Sequence, residues 1–153
     1  MKKNIITIWR KNMELLIDTN VIIDYFMNRD QKNSGTDELF EYIHEGKISA
    51  YIAAHTVPTI WYILRKSLAP AERRNLLRAL FSCFSISSVG EKELLSALDR
   101  DDFSDFEDCV QDECALSIHA RYIITRNKKD FSHSRIPALL PAEFIEVMGW
   151  LHL

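Results

Sequence analysis

Aspartates are the side chains of this sequence best placed to do chemistry. Asp18 directly follows an uninterrupted apolar run over 15–17, which predicts a short buried strand. Ligands of parallel α/β sheets bind beyond the carboxyl ends of the strands, so the Asp18 carboxylate is expected to face that crevice. Its alternative role is to cap a helix predicted over 21–26. Asp24, six residues further along, is expected to be a supporting or surface acid.

Three further aspartates have the spacing i, i+3, i+7, which places Asp105, Asp108 and Asp112 along one face of a helix. Like charges in this arrangement repel, and a divalent cation is the usual agent that offsets such repulsion. Asp108 has apolar neighbours, so it is the favoured ligand, with Asp105 as an accessory acid. The alternatives are that Asp105 caps the helix and that Asp112 faces solvent.

Polar and cationic residues follow a strand predicted over 122–125. Asn127 and Asp130 are expected to bring oxygen atoms to the same edge of the sheet as Asp18 and Asp108. A site lined by oxygen atoms, without soft ligands, suits Mg²⁺ or Mn²⁺. The neighbouring cations are predicted to contact phosphate groups, or else to be solvated loop charges: Arg126, Lys128 and Lys129.

Other catalytic classes have no matching motif here. The five His show no HxH or HExxH spacing, and there is no Gly-rich phosphate loop and no GxSxG elbow. Cys109 is a poor nucleophile, because the acids around it are expected to raise the pKa of its thiol. Three Cys without CxxC spacing predict reduced thiols, and no apolar run is long enough for a membrane span or a secretory signal. A cytoplasmic protein is therefore expected.

The candidate residues need a scaffold of alternating strands and helices, and the sequence predicts one. Short apolar runs indicate strands buried on both faces, over 15–17, 48–54, 84–87 and 122–125. Helical patterns cover 36–43, 57–66, 70–81, 91–98, 105–120 and 141–150. Thr36 is predicted to cap its helix, and Phe26, Trp61 and Tyr62 are assigned to the core. Four Gly and four Pro are too few for an all-β sandwich, so an α/β sandwich with a mostly parallel sheet is favoured.

Charge is segregated along the chain, although its net value is only −3. Residues 91–113 are rich in acids, whereas 61–80 and 121–135 are rich in Arg and Lys. The net charge of −3 excludes a global basic field that would hold nucleic acid. Either the acids form a solvated helix face, or they form a metal pocket rimmed by cations that bind a phosphate backbone.

Three short segments carry a family resemblance: 16–24 (LIDTNVIID), 105–111 (DFEDCVQ) and 124–131 (ITRNKKDF). Over about residues 13–148 the sequence resembles PIN-domain ribonucleases, including the VapC-like toxins. The resemblance implies a three-layer α/β/α sandwich around a mostly parallel sheet of four or five strands. It also implies an acidic pocket for Mg²⁺ or Mn²⁺, cleavage of single-stranded RNA, an antitoxin protein as partner, and a homodimer. One domain over 13–153 is predicted, with 1–12 as an appendage.

The resemblance also assigns roles by position. Asp18 matches the family's first acid, Asp108 its third, and Asp105 an extra acid of one subgroup. The chain has Thr59 where the second acid usually stands and Asn127 where the fourth often stands. The predicted metal ligands are Asp18, Asp105, Asp108 and Asp130, of which the first three are the predicted catalytic acids. Supporting or substrate-contacting roles are predicted for Asn20, Thr59, Thr125, Arg126, Asn127, Lys128 and Lys129.

The favoured function is a divalent-metal-dependent endoribonuclease that cuts single-stranded RNA, as the toxin of a toxin–antitoxin pair. The rival is a non-catalytic PIN-like module that binds RNA or a partner protein, which the neutral Thr59 and Asn127 favour. A phosphatase with an aspartyl nucleophile is disfavoured. That chemistry commonly uses an acid two residues after the nucleophile, where this chain has Asn20.

Overall fold

A parallel sheet of five strands lies at the centre of the fold. The computed structural model describes residues 13–29 and 34–150, so the appendage predicted over 1–12 lies outside the described residues. The strands are β1 (Glu14–Ile17), β2 (Ser49–Ala53), β3 (Ser85–Ser87), β4 (Tyr122–Ile124) and β5 (Ala138–Leu139). Their spatial order is β3-β2-β1-β4-β5, and every pairing is parallel. The strand that precedes Asp18 is therefore central.

Helices supply the connections that join β1 to β2, β2 to β3 and β3 to β4. Within the described ranges they are α1 (Thr19–Phe26), α2 (Thr36–His44), α3 (Thr56–Ile63), α4 (Pro70–Cys83), α5 (Glu91–Leu98), α6 (Phe106–Ser117) and α7 (Pro141–Trp150). Short 3₁₀ turns cover Leu64–Lys66 and Lys128–Phe131. The second of these turns follows β4 and carries the polar segment singled out in the sequence.

The helices cover both faces of the sheet, which gives three layers. Leu15 and Ile17 of β1 belong to a core shared with α1–α4 and α7. Leu16 points to the opposite face, where α5 and α6 form the second core. All three side chains are fully buried. The predicted α/β/α sandwich around a parallel sheet is confirmed, with five strands.

The start of α2 differs from the prediction. Thr36 is its first helical residue rather than its cap, and Gly35 precedes it with a φ of 80°. That left-handed φ favours glycine, and a Cβ on Gly35 would lie only 2.6 Å from Ala142 Cα, near the start of α7. Glycine is therefore required both by the backbone conformation and by the close approach of α7.

The assignment of Tyr62 to the core is wrong. Its side chain is 61% exposed, and the Arg65 guanidinium lies over its ring at 3.5 Å. The reason is that α3 buries Ile60 and the residue that follows the helix, Leu64, and this narrow stripe leaves Tyr62 facing water. Trp61 is half-buried.

The cysteines are free thiols, as predicted, and two of the three are buried. Burial raises the pKa of the Cys114 thiol to about 11 and also raises the pKa of Cys109. For Cys109, burial is a larger cause than the neighbouring acids that the sequence suggested. Among the helices of the described ranges, none has the length and apolar character needed to cross a membrane.

Candidate active site

Asp18 stands at the carboxyl end of the central strand β1. Its backbone N–H donates to Ile124 O of β4 at 2.9 Å, and the next residue begins α1. The Asp18 side chain also caps α1, accepting a bond of 3.4 Å from Asn20 N. The strand-end position and the capping role, which the sequence offered as alternatives, are thus combined in one side chain that is 2% exposed.

Two buried side chains hold the two carboxylate oxygens of Asp18. Gln111 Nε2 donates to Oδ1 at 3.0 Å, and Thr125 Oγ1 donates to Oδ2 at 2.9 Å. Burial raises the pKa of Asp18, these two hydrogen bonds oppose the rise, and the charge of Glu107 adds to it. Among the described residues, no Lys or Arg forms an ion pair with Asp18.

The amino end of α6 brings three more carboxylates together. Asp105 caps the helix by accepting a bond of 2.8 Å from Glu107 N. Oxygen atoms of Asp105, Glu107 and Asp108 lie within 4.8 Å of one another. Burial raises the pKa of Asp108 to about 7, and the charges of Asp18, Glu107, Asp105 and Asp130 add to the shift. Acids from β1, α6 and the turn after β4 therefore act on one carboxyl group.

The alternative that Asp112 faces solvent is wrong. Asp112 is fully buried, and its Oδ2 accepts a bond of 2.6 Å from Arg100 Nη1, while its Oδ1 accepts from the Ser134 hydroxyl. The same Arg100 nitrogen lies 3.0 Å from Glu113 Oε1. An arginine, rather than a divalent cation, thus offsets the charge of this third acid on the helix face. Periodicity could not reveal a partner that lies in the loop before α6.

The segment after β4 lies at the same edge of the sheet as Asp18. Asn127 Nδ2 donates to Asp130 Oδ2 at 2.6 Å, and Asn127 N donates to Thr125 Oγ1 at 3.1 Å. Because Thr125 also donates to Asp18, it joins this turn to the end of β1. The charge of Asp130 contributes to the raised pKa of Asp108.

Two of the three cations predicted to contact phosphate groups have protein partners. Arg126 Nη1 lies 2.5 Å from Oδ2 of Asp24, an acid that is buried rather than on the surface. Lys128 Nζ lies 2.9 Å from Glu143 Oε1. Lys129 is exposed and forms no ion pair within the described part of the chain.

Thr59 forms no hydrogen bond with the acids among the described contacts. It lies half-buried on α3, and its hydroxyl donates to His55 O, four residues earlier, at 2.8 Å. From the same part of the chain, His55 does contact one of the acids. Its Nε2 lies 2.6 Å from Glu107 Oε1.

Sequence reasoning missed Glu107 and its partners. Besides His55, the Gln111 amide donates to Glu107 Oε1 at 3.1 Å, and the Thr19 hydroxyl lies 3.4 Å from the same oxygen. Two signals were present in the sequence. Gln111 is four residues after Glu107 and shares its helix face, and His55 follows β2, the strand beside β1.

The donor set fits a hard divalent cation. Asp105, Glu107 and Asp108 offer carboxylate oxygens within 4.8 Å of one another, and the charge of Asp18 acts on Asp108. No Lys or Arg of the described residues forms an ion pair with any of these four acids. Mg²⁺ and Mn²⁺ prefer such ligands. Burial raises the pKa of Asp108, and the repulsion from neighbouring acids that adds to this rise is of the kind that a cation relieves. His55, the nearby nitrogen donor, is already engaged with Glu107.

Comparisons with known proteins agree with this geometry. The profile of the PIN domain matches residues 14–129, and no curated protein matches the chain. VapBC2 from Rickettsia felis bound to promoter DNA is 16% identical, with a TM-score of 0.64 over 83% of this chain and 98% of that chain. A toxin–antitoxin complex from Klebsiella pneumoniae is 21% identical, with a TM-score of 0.62 over 83% and 97%. FitAcB from Neisseria gonorrhoeae is 19% identical, with a TM-score of 0.60 over 83% and 97%. At these identities the likeness shows the fold.

Proposed function

Because this chain belongs to the PIN-domain family, we propose that it is a divalent-metal-dependent endoribonuclease that cleaves single-stranded RNA. The observation that carries this proposal is the group of carboxylates at the ends of β1 and α6. Oxygens of Asp105, Glu107 and Asp108 lie within 4.8 Å of one another, and the charge of Asp18 acts on the same space. A group of this kind holds Mg²⁺ or Mn²⁺ through oxygen ligands alone.

Asp18 and Asp108 are the proposed principal ligands, with Asp105 and Asp130 as further ones. A bound cation supplies polarisation of the scissile phosphodiester and lowers the pKa of the water that hydrolyses it. The hydrogen bond from Thr125 fixes the orientation of the Asp18 carboxylate before substrate arrives. Asp108, with a pKa of about 7, releases its proton to become a ligand.

The cations after β4 are proposed to position the RNA strand. Lys129 is exposed, and Arg126 is 55% exposed while paired with Asp24, so its guanidinium keeps free donors for a phosphate. Lys128 would exchange its contact with Glu143 for a phosphate oxygen. Such contacts set the register of the strand without reading its bases. Supporting or substrate-contacting roles are also proposed for Asn20, Thr59, Thr125 and Asn127.

Cleavage of a labelled single-stranded RNA of mixed sequence tests this function. Wild type is expected to cut it with Mn²⁺ and not with EDTA, and Asp18→Asn or Asp108→Asn is expected to lose activity about 100-fold or more. Asp37→Asn, an exposed acid at the start of α2, serves as the matched control and should cut like wild type. Cleavage that survives EDTA, or that either site variant retains in full, would place the chemistry elsewhere.

The rival proposal, a non-catalytic module that binds RNA or a partner protein, rests on one observation. Thr59 and Asn127 are neutral, and the Thr59 hydroxyl is used by a backbone carbonyl of its own helix. This rival predicts that the same RNA binds without being cut, in Mn²⁺ and EDTA alike. Filter binding beside the cleavage assay separates the two functions.

The partners follow from the similar proteins and stay proposals for this chain. The VapBC2 and Klebsiella structures are toxin–antitoxin complexes, and on that basis we propose an antitoxin protein as partner. A homodimer, a cytoplasmic location and a single domain over 13–153 belong to the same proposal. Co-expression with the product of a short adjacent reading frame, followed by light scattering of the purified complex, tests the partner and the oligomeric state together.

A further inference from the structure

Gln111 is a buried polar side chain with an unusual set of partners. It is fully buried on α6, and its Nε2 donates to two carboxylates at once, Asp18 Oδ1 at 3.0 Å and Glu107 Oε1 at 3.1 Å. Only the NH₂ group of an amide can donate to carboxylate oxygens, so the chemistry of the partners fixes which way the amide points. A single neutral group thus connects the end of β1 with the amino end of α6.

The other atom of the amide shows that packing does not explain this residue. Gln111 Oε1 is buried and has no hydrogen-bond partner among the described residues. An unsatisfied buried oxygen destabilises the fold, and an apolar side chain of the same volume would avoid that cost. The amide is therefore kept for its two donor bonds.

The same helix satisfies another buried acid in the opposite way. Gln111 donates to Asp18 with a neutral amide, whereas the next residue, Asp112, accepts from the Arg100 guanidinium at 2.6 Å. The arginine cancels the charge of its acid, and Asp112 has no part in the carboxylate group at the end of β1. The amide fixes its two acids and adds no positive charge to them.

From these contacts we propose that Gln111 is a positioning residue of the candidate site, which fixes Asp18 and Glu107 while leaving their negative charge available to a cation. His55 and Thr19 also contact Glu107 Oε1, the oxygen to which Gln111 donates, at 2.6 Å and 3.4 Å. The Asp18 carboxylate keeps further lone pairs, because a carboxylate can accept about four hydrogen bonds. The inference rests on the proposed function, since the metal it serves is the one proposed there.

Calorimetric titration of Mn²⁺ into the full chain tests the inference without any RNA. Gln111→Met keeps the volume and removes both donor bonds, so Mn²⁺ should bind about tenfold more weakly. Gln111→Lys keeps donor bonds but adds a positive charge, so Mn²⁺ should bind at least tenfold more weakly while the melting temperature of the metal-free protein is held or raised. Val110→Ala is the matched control: it opens a small cavity on the same helix and should lower the melting temperature with Mn²⁺ affinity unchanged.

Activity gives a second readout that loss of packing alone would not produce. In Gln111→Met the kcat for RNA cleavage should fall at least tenfold while KM stays within about twofold, because the residue is not among the cations proposed to hold RNA. Mn²⁺ affinity within twofold of wild type in Gln111→Met would overturn the inference. If that variant does not fold, wild-type affinity in Gln111→Lys overturns it instead.

The wild-type arm keeps this inference separate from the proposed function. If wild type binds Mn²⁺ but cuts no RNA, the nuclease function is ruled out, and the variants still decide the role of Gln111. If wild type binds no Mn²⁺, the nuclease function and the positioning role of Gln111 are both ruled out.

Discussion

At the scale of single residues, Asp108 makes the stability of the metal-free protein depend on pH. Its pKa rises from 3.8 to about 7 on folding, because the carboxyl is buried among like charges. Between these values the folded state binds a proton that the unfolded state releases, so the free energy of unfolding increases as pH falls from 8 towards 4. After allowance for screening by water at the rim of the site, we expect a gain of about 2 kcal/mol between pH 8 and pH 5.

Urea unfolding in EDTA at the two pH values measures this difference. Asp108→Asn cannot take up the proton, so its stability should change less with pH than that of wild type. The remaining dependence in the variant has the same sign, because the pKa of Asp18 is also raised. A wild-type protein that is more stable at pH 8 than at pH 5 contradicts the prediction.

Thr59 allows a test of whether α3 can contribute a ligand. Thr59→Glu places a carboxylate on the helix that follows β2, beside the strand of Asp18. Most of the Coulomb attraction for a divalent cation is lost to desolvation and to repulsion from the other acids. We therefore expect a net gain of about 1–2 kcal/mol, or roughly five- to thirtyfold tighter Mn²⁺ binding. The metal-free variant should melt at a lower temperature.

Calorimetry and melting curves decide this prediction together. Thr59→Gln has the same length without the charge and is the control. If Thr59→Glu changes neither Mn²⁺ affinity nor the melting temperature, Thr59 lies outside the candidate site. The hydrogen bond of its hydroxyl to His55 O would then be its whole role.

At the scale of elements, the two parts of α6 treat their acids differently. The acids at its amino end form no ion pair with a Lys or Arg of the described residues, whereas Asp112 and Glu113 in its middle are paired with Arg100. Arg100 reaches it from the loop after α5 and is almost fully buried between Asp112 and Glu113. Although burial opposes the charge, hydrogen bonds to its three acidic partners raise the pKa of Arg100, so it stays protonated. The same guanidinium donates to His133 O. Arg100 thus ties α6 to the loop before it and to the loop that joins the second 3₁₀ turn to β5.

We expect Arg100→Met to lower the free energy of unfolding by about 3–5 kcal/mol, because it leaves Asp112 buried without a cation. Arg135→Met, an exposed arginine of the neighbouring loop, should change it by less than about 0.5 kcal/mol. Removing both partners in Arg100→Met with Asp112→Leu should recover much of the loss. Urea denaturation measures all three, and a double variant as unstable as the single one would show that the pair does more than satisfy its own charges.

The elements were more predictable from the sequence than the contacts between them. Apolar runs of three or more residues indicated β1, β2 and β4, because parallel strands are buried on both faces, and a weaker pattern over 84–87 indicated β3. Strand β5 has only two residues, Ala138–Leu139, and carries too short a pattern to be read. The prediction that Thr36 caps α2 was wrong, because the close approach of α7 requires glycine at position 35. Local capping preferences do not contain this tertiary effect.

Residues of the candidate site were predictable where they follow a strand. They were unpredictable where the side chain binds a partner that is distant in the sequence. Asp18, Thr125 and Asn127 were found because strand ends in a parallel sheet share one edge. Asp112 was misplaced because its charge is cancelled by Arg100, which lies twelve residues earlier. Glu107 and Gln111 were missed for the same reason: Glu107 contacts His55, 52 residues earlier, and Gln111 donates to Asp18, 93 residues earlier.

At the scale of the whole molecule, a bound cation should stabilise the fold. Mg²⁺ at ten times its dissociation constant adds about 1.4 kcal/mol to the free energy of unfolding, provided that it binds only the folded state. For a chain of this length that corresponds to a rise of about 3–5 °C in melting temperature. Thermal melts with and without Mg²⁺ measure it, and Asp18→Asn should show a smaller rise. An unchanged wild-type melting temperature across millimolar Mg²⁺ and Mn²⁺ counts against a metal site.

Gly35, which directly precedes α2, limits the substitutions that this chain can accept during evolution. A Cβ at Gly35 would lie 2.6 Å from Ala142 Cα, so nineteen of the twenty amino acids are barred by the backbone of α7 itself. In a library of random substitutions, position 35 should therefore be recovered as glycine even when cells are sorted only for abundance of the protein. Asn substitutions at Asp18 or Asp108 should survive that sort and disappear only when cleavage is selected. Comparing the enrichment of variants in the two sorts would separate the positions required for folding from the positions required for cleavage.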